Sequence, residues 1–389
     1  MSEGGQSIAP VDVAGNRLTL IEEGPDLLEA LAALIDGARE SLRVLYYIWE
    51  DDAAGRRVRD ALVTAIGRGV SVSLLVDGFG AANAKDGFFQ ALTDAGARFC
   101  RFVPRLGRRY FLRNHQKLAI ADGRRVIVGG FNIADSYFGT VDEGAWRDLG
   151  LLVEGDSVAC PSAYFDDLFK WAAKPAGSMR QLRRVLQKHS TTDGKLHWLF
   201  GGPTRRLSPW ARSVRKDMRQ ARRLDIISGY FAPGPMLLRR AGNVARRGEA
   251  RLVTAAKSDN NATIAAARFT YWTLLKRGVR IFEYQPTKLH TKLFVIDGIV
   301  HIGSANFDMR SLFLNLEMML RVEDTAFAAA MRAYVDDEIT RSTEITVEAH
   351  LAQRTWLNRI RWAVGYFLIA IADYRITRRL NFAGEAEPR

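Results

Sequence analysis

The chain has 389 residues and a mass of 43.5 kDa, room for two core-bearing domains or one large duplicated one. Its 48% apolar and 25% charged residues exclude a disordered chain, and its two cysteines, Cys100 and Cys160, exclude a disulfide scaffold or a cysteine-based zinc site. A net charge of +13 favours a polyanionic partner: nucleic acid, a phosphorylated ligand or an anionic membrane face.

The first twenty residues lack the basic start and apolar core of a signal peptide. No apolar run reaches the roughly 18 residues expected of a membrane span; the longest runs from Trp362 to Ala372. A soluble or peripheral protein is expected.

From residue 42 the pattern alternates between short β-rich runs and helical stretches. The runs LRVLYYIW (42–49), GRGVSVSLLVD (67–77) and DAGARFCRF (94–102) precede the segment His115-Gln-Lys117-Leu-Ala-Ile-Ala-Asp122-Gly123. Tyr46, Tyr47 and Trp49 read as strand core, with one ring free to line a ligand site. VIVGGFN follows, ending at Asn132.

KPAGS (174–178) and HSTTDGK (189–195) then read as a linker. Beyond it the order repeats: RLDIISGYF (223–231), RRGEARLVTA (246–255), KRGVRIFEY (276–284), then His290-Thr-Lys292-Leu-Phe-Val-Ile-Asp297-Gly298 and HIGSAN ending at Asn306. His, Lys and Asp each recur 175 positions later. A duplicated α/β chain with partly parallel sheets is expected. The predicted divisions are 11–172 and 196–350 for the two halves, 173–195 for the linker, and 351–381 for a basic amphipathic helix.

Within each motif His and Lys lie two apart in an alternating run, so both point to one face of a strand. Two lysines form a cradle for a phosphate. One His can attack phosphorus while the other protonates the leaving oxygen. Asn132 and Asn306 can donate to phosphoryl oxygens. Asp122-Gly123 and Asp297-Gly298 read as hairpin turns, and turn duty outranks chemistry for both. No metal and no cofactor are expected, because the chain offers no HExxH, no cysteine cluster and no compact carboxylate set. His189, His197, His301 and His350 have no repeat partner and read as structural.

Both segments match the HxKxxxxD signature, and the chain resembles the phospholipase D superfamily over nearly its entire length, in particular the bacterial cardiolipin synthases that lack N-terminal transmembrane helices. Supporting segments are YIWEDDAAGRRV (47–58), GGFNIADSY (129–137), WRDLGLLVEG (146–155), GGP (201–203), GYFAPG (229–234) and GSANFDMRSLFLNLE (303–317). Leu149-Gly150 departs from the Thr-His that this family often has there. The resemblance implies two α/β/α sandwich halves related by a pseudo-two-fold, with the active site at the seam. It implies His115, Lys117, Asp122, His290, Lys292 and Asp297 as the catalytic set, with His115 as nucleophile and His290 as general acid and base. It also implies transfer of a phosphatidyl group between two phosphatidylglycerol molecules through a phosphohistidine, giving cardiolipin and glycerol. Alternatives are a hydrolase, a transferase using phosphatidylethanolamine or serine, a phosphodiesterase or nuclease, and an inactive membrane scaffold.

Asp148 and Glu317 are the expected orienting carboxylates, with Asp142 and Glu143 as rivals in the first half. The positive charge concentrates in three windows, 101–113, 205–223 and 354–380, leaving the remainder slightly acidic. The first window mixes Arg108 and Arg109 with Phe111, as a loop at a headgroup layer would. The last flanks an apolar centre containing Trp362, Phe367 and Leu368, which suits an interfacial helix. The expected partner is an anionic phospholipid membrane at the cytoplasmic face of the bacterial inner membrane, with no nucleic acid.

Overall fold

The computed structural model describes residues 8–102, 112–174, 178–204 and 206–372. Arg108, Arg109 and Phe111 lie outside the described residues, as does 373–381 of the expected interfacial helix.

Two eight-stranded mixed sheets form, one per half. In the first, Ser41–Tyr46, Ser71–Asp77 and Arg98–Phe102 run parallel, because the helices Ala53–Gly67 and Asp86–Asp94 return the chain between them. Leu118–Ala121 joins the other side of Ser41–Tyr46 antiparallel, followed in order by Arg125–Gly129, Gly150–Glu154, Asn16–Ile21 and Val11–Val13. The second half repeats this with Arg223–Ser228, Glu249–Ala255 and Arg280–Tyr284 in parallel, then Lys292–Ile296, Ile299–Gly303, Glu317–Glu323 and Leu196–Gly201 antiparallel. An extra short strand, Ser342–Glu344, closes the outer edge beside Arg280–Tyr284.

The central strands are apolar on both faces because both faces are covered. Val44, Leu74, Ile127 and the helices Gly24–Asp36 and Ala53–Gly67 form one outer core; Ile226, Leu252, Ile281 and the helix Pro235–Arg247 form the other. A third core is shared. Leu118, Ile120 and Val128 of one sheet join Leu293, Val295 and Ile302 of the other, with Tyr164 and Met331 from the inner helices Ala159–Ala173 and Thr325–Thr340. This is the expected pair of α/β/α sandwiches, fused through a common interior.

The 173–195 segment is not a plain linker. Met179–His189 is a helix whose N-cap Ser178 accepts from Arg180 N, and its Leu182 and Leu186 are fully buried in the shared core. Its 3.6-residue apolar spacing was masked by the polar turns on either side.

The C-terminal segment is also not one helix. Val347–Gln353 ends at Arg354, and a new helix, Trp356–Tyr366, starts from the N-cap Thr355 and continues as a π-helical turn, Phe367–Ala372. It lies along the helix Asn261–Leu275 so closely that a Cβ on Gly365 would fall 2.7 Å from Ala265 Cβ. Trp362, expected at the membrane, is instead buried and stacked on His350 at 5.2 Å. Burial of an indole against a stacked partner outweighs its preference for an interface. Phe367 and Leu368 are about half exposed, at 53% and 49%. No helix among the described residues is long and apolar enough to cross a membrane.

Candidate active site

Two backbone bridges at the seam build the site. Asn114 pairs with Leu316, and Arg147 pairs with Leu289. His115 N donates to Leu316 O at 2.9 Å, and His290 N donates to Arg147 O at 2.8 Å. Each bridge sets a histidine of one half beside the carboxylate that follows the bridging residue of the other half. The carboxylates therefore cross over. His115 Nδ1 bonds Glu317 Oε2 at 3.1 Å, and His290 Nδ1 bonds Asp148 Oδ2 at 2.6 Å. Asp148 and Glu317, the expected orienting candidates, each bond the imidazole of the other half. Asp142 and Glu143 do not reach the site: both are exposed, and Glu143 accepts instead from Thr140 N and Oγ1.

The two carboxylates are held differently. Glu317 also accepts from Ser304 Oγ at 2.6 Å and Ser311 Oγ at 2.7 Å. Asp148 has a backbone donor, Leu149 N, at 2.8 Å. The residue matching Ser304 in the repeat is Gly130, where a Cβ would sit 2.6 Å from Asp148 Oδ1. The GG of the first motif leaves room for a carboxylate that the GS of the second grips with a hydroxyl.

Lys117 and Lys292 are fully buried between the halves, with their ammonium groups on the carbonyl oxygens of His115 and His290. Burial, then the opposing Lys292, outweigh Glu317 and bring Lys117 down to about 7. Burial brings Lys292 down to about 8 against the pull of Asp148 and Glu317. Both imidazoles are held neutral: burial lowers His115, and burial with Lys292 lowers His290 to about 3. Burial would raise the carboxyls, but Lys292 and His290 hold Asp148 low, and His115 with Lys117 does the same for Glu317. A carboxylate on each Nδ1–H leaves each Nε2 as a bare lone pair.

His115 and His290 line a cavity of about 680 Å³. Asn132 and Asn306 line it as expected. The Asn132 amide is fixed by Ile48 N, which donates to its oxygen at 3.2 Å, and by the Tyr137 hydroxyl, which accepts from its nitrogen at 2.8 Å. Asn306 Oδ1 is buried without a hydrogen-bond partner among the described residues. Tyr46 and Trp49 are core, as their pattern indicated, whereas Tyr47 lines the cavity and packs on His115 at 4.9 Å. Trp146 and Tyr230 lie edge-on to His290 at 5.2 and 6.0 Å.

Asp122 and Asp297 are not part of this site, contrary to the six-residue set that the resemblance implies. Each sits at positive φ, 53° and 49°, in the turn at the far end of its strand. Asp122 accepts from the backbone N–H groups of Arg39, Glu40 and Ser41, and Asp297 from those of Arg222 and Arg223. Burial of Asp122 is outweighed by these donors, which hold its carboxyl low. Their work is to start the neighbouring strand, and the Asp-Gly pair supplies the left-handed backbone of the turn.

Arg147, in sequence only part of a motif, clamps the two halves. Its buried guanidinium reaches Glu338 Oε1 at 2.7 Å, Glu23 Oε1 at 2.6 Å and Glu22 O at 2.7 Å. No spacing rule exposes this contact, since Glu338 lies 191 positions away. Arg147→Ala leaves the buried Glu338 unpaired and is expected to cost about 3–5 kcal/mol, read as a lower urea midpoint. A loss below about 1 kcal/mol would contradict the clamp. The departure at Leu149-Gly150 has a steric reason: a Cβ on Gly150 would lie 2.3 Å from Leu27 Cδ2, so glycine suits the packing of the helix Gly24–Asp36.

The sequence matches the family described as "Cardiolipin synthase, PLD-like domain" at residues 31–150 and 214–339. The chain is 32% identical over 347 residues to a protein of Pseudomonas fluorescens named cardiolipin synthase A, covering 86% of this chain and 71% of that one. It is 30% identical over 373 residues to cardiolipin synthase B of Salmonella typhimurium, covering 91% and 88%. The crystal structure of a phosphatidylserine synthase from Haemophilus influenzae superposes with a TM-score of 0.72 at 15% identity, covering 93% of this chain and 95% of that one, a likeness of fold. The matched segments hold both histidines, both lysines and Asp148 and Glu317, and the chain belongs to the cardiolipin synthase family of phospholipase D-like proteins.

Proposed function

We propose that the protein transfers a phosphatidyl group from one phosphatidylglycerol to another, giving cardiolipin and glycerol. The observation that carries this is the pair of imidazoles at a seam that buries two lysines, each bonded to a buried carboxylate of the other half. By resemblance, His115 Nε2 attacks phosphorus and the bond to the glycerol oxygen breaks. His290, protonated once the anionic substrate is bound, gives its proton to that oxygen. The second lipid's hydroxyl then loses a proton to His290, its oxygen attacks phosphorus, and the P–N bond breaks to free His115. Lys117 and Lys292 supply positive charge beside the phosphoryl oxygens, and the Asn132 and Asn306 side chains line the same cavity.

With both lysines charged, the two ammoniums and two carboxylates balance. A bound phosphate adds negative charge to a buried site and raises the pKa of every basic group around it. Anion binding is therefore expected to take up about one proton at pH 8 and to weaken as pH rises through the depressed lysine values. Titration calorimetry with inorganic phosphate in buffers of differing ionisation heat measures this. Proton release on binding would contradict the assignment of the lysines to the phosphate.

The membrane is proposed as the partner. Trp356, Leu357, Ile360, Val364, Phe367 and Leu368 are all exposed on one side of the C-terminal helix, and Ile369 on the next turn lines the active-site cavity. A helix with such a face lies in the interfacial layer, its apolar side at the acyl boundary. That would set the cavity mouth against the lipid that the reaction consumes, at the cytoplasmic face of the inner membrane. Purified protein given head-labelled phosphatidylglycerol in mixed micelles should release labelled glycerol and form cardiolipin. Phosphatidic acid as the sole lipid product would make the enzyme a hydrolase and overturn the transferase reading.

A further inference from the structure

A second cavity, of about 510 Å³, opens between the helices Asn261–Leu275 and Trp356–Tyr366, and its lining residues are separate from those of the active site. Arg354 lies over the Trp272 ring at 5.1 Å, and Lys276 Nζ approaches the same ring at 4.3 Å. Arg354 and Arg359 line the cavity without any carboxylate partner among the described residues. Arg268, the third arginine there, is taken up by Glu283 in a two-bond pair at 2.9 and 2.8 Å. Among the described residues no Asp or Glu lines the cavity. His350, 2% exposed, also lines it; its ring stacks on Trp362 and Trp272, and its nitrogens bond no described residue. A buried imidazole in the wall and two guanidiniums, with no carboxylate against them among the described residues, make a receptor for an anion. Trp356 and Ile360, both exposed, line the same cavity and belong to the apolar face that meets the membrane.

We propose that this cavity binds the phosphate headgroup of an anionic phospholipid as a second, non-catalytic lipid site that anchors the C-terminal helix on the bilayer. The proposal rests on the membrane reading above and adds a specific contact to it. Continuity decides the source of the phosphate. A headgroup held by Arg354 and Arg359 leaves its acyl chains beside Trp356 and Ile360, where a free phosphate would leave them bare. Guanidiniums suit the task because their planar fork meets phosphate oxygens in pairs.

The test is vesicle co-sedimentation of the full chain. Arg354→Gln/Arg359→Gln should bind phosphatidylglycerol-rich vesicles about thirtyfold more weakly than the wild type. Binding to phosphatidylcholine vesicles and hydrolysis of a soluble phosphodiester should both stay within about twofold, which also reports that the variant is folded. Arg180→Gln/Arg184→Gln removes the same charge from the exposed side of the helix Met179–His189 and should lose far less affinity. An equal loss in that control, or no loss in the first variant, would overturn the site. Submillimolar binding of inorganic phosphate that disappears in the Arg354/Arg359 variant would make the ligand a free phosphate and overturn the lipid assignment. A wild type that binds vesicles through these arginines yet yields no cardiolipin would instead overturn the reaction assigned above and leave this site standing.

Discussion

His115→Ala and His290→Ala will each lower phosphatidyl transfer by at least about 10⁴-fold, down to background. The two losses have different causes. Without His115 the one imidazole left, His290, cannot both take the phosphatidyl group and protonate the glycerol oxygen, the rings of Tyr47, Trp146 and Tyr230 are poor nucleophiles, and both lysines are turned onto backbone carbonyls. Without His290 the glycerol oxygen must leave unprotonated, a barrier that a better leaving group removes. Cleavage of a p-nitrophenyl phosphodiester should therefore recover partly in His290→Ala and not at all in His115→Ala. Wild-type-like turnover in either variant would end the two-histidine scheme. A mixture of the two variants should stay inactive, since both histidines of each site come from one chain.

The second large effect is expected at the crossed carboxylates. Asp148→Asn and Glu317→Gln should each cost about 10²–10⁴-fold in kcat with a smaller change in KM. In Asp148→Asn the amide nitrogen faces His290 Nδ1 or the amide oxygen holds it without charge. Either way the imidazolium needed for protonation loses its counter-ion across 2.6 Å. Crossing makes the prediction specific. NMR titration of Asp148→Asn should move the His290 ring and leave His115 in place, and Glu317→Gln should do the reverse. A shift of His115 on altering Asp148 would contradict the seam geometry. Glu317→Gln should be the milder change for orientation, because Ser304 and Ser311 still grip the side chain, whereas Asp148 has fewer supports.

Much of this arrangement is legible in the sequence because duplication doubles the signal. A lone His-x-Lys is weak, but its recurrence with Asp-Gly, a Gly-rich turn and Asn after the same three strands gives the fold, the halves and the four central side chains together. The face shared by His and Lys follows from strand periodicity alone, and Tyr47, at the end of its strand, carries the period that sends it beside His115 while Tyr46 goes to the core. What fails to show is whatever depends on contact between the halves. Asp148 and Glu317 could be found by their interval from Asn132 and Asn306, yet which imidazole each serves is decided by the Asn114–Leu316 and Arg147–Leu289 bridges. Arg147 itself looks like one more charge until Glu338 is brought under it. Asp122 and Asp297 show the opposite error: a signature spans residues with two jobs, and of its members the histidines line the cavity with the lysines buried behind them, while the aspartates hold the far turns. At the C-terminus the apolar residues were visible but not their division. Gly365 permits close packing on Ala265, so Trp362 turns inward and the residues flanking it in the helix keep the outer face.

The net positive charge of the chain divides between the site and the surface. Lys117 and Lys292 sit in the site with carboxylates to balance them, so they add little to the outer field. Arg354 and Arg359 have no carboxylate partner among the described residues and stand beside an exposed apolar face, which is where an anionic bilayer would be met.

The central claim is a phosphatidyl group carried on one histidine of a seam that both halves build. Phosphatidylglycerol labelled at phosphorus, mixed with the protein and quenched within a turnover, tests it most directly. The account predicts a label on the protein that is stable to base and lost in mild acid, mapped to His115 and absent from His115→Ala. A label on any other residue, or one that persists in His115→Ala, would contradict it.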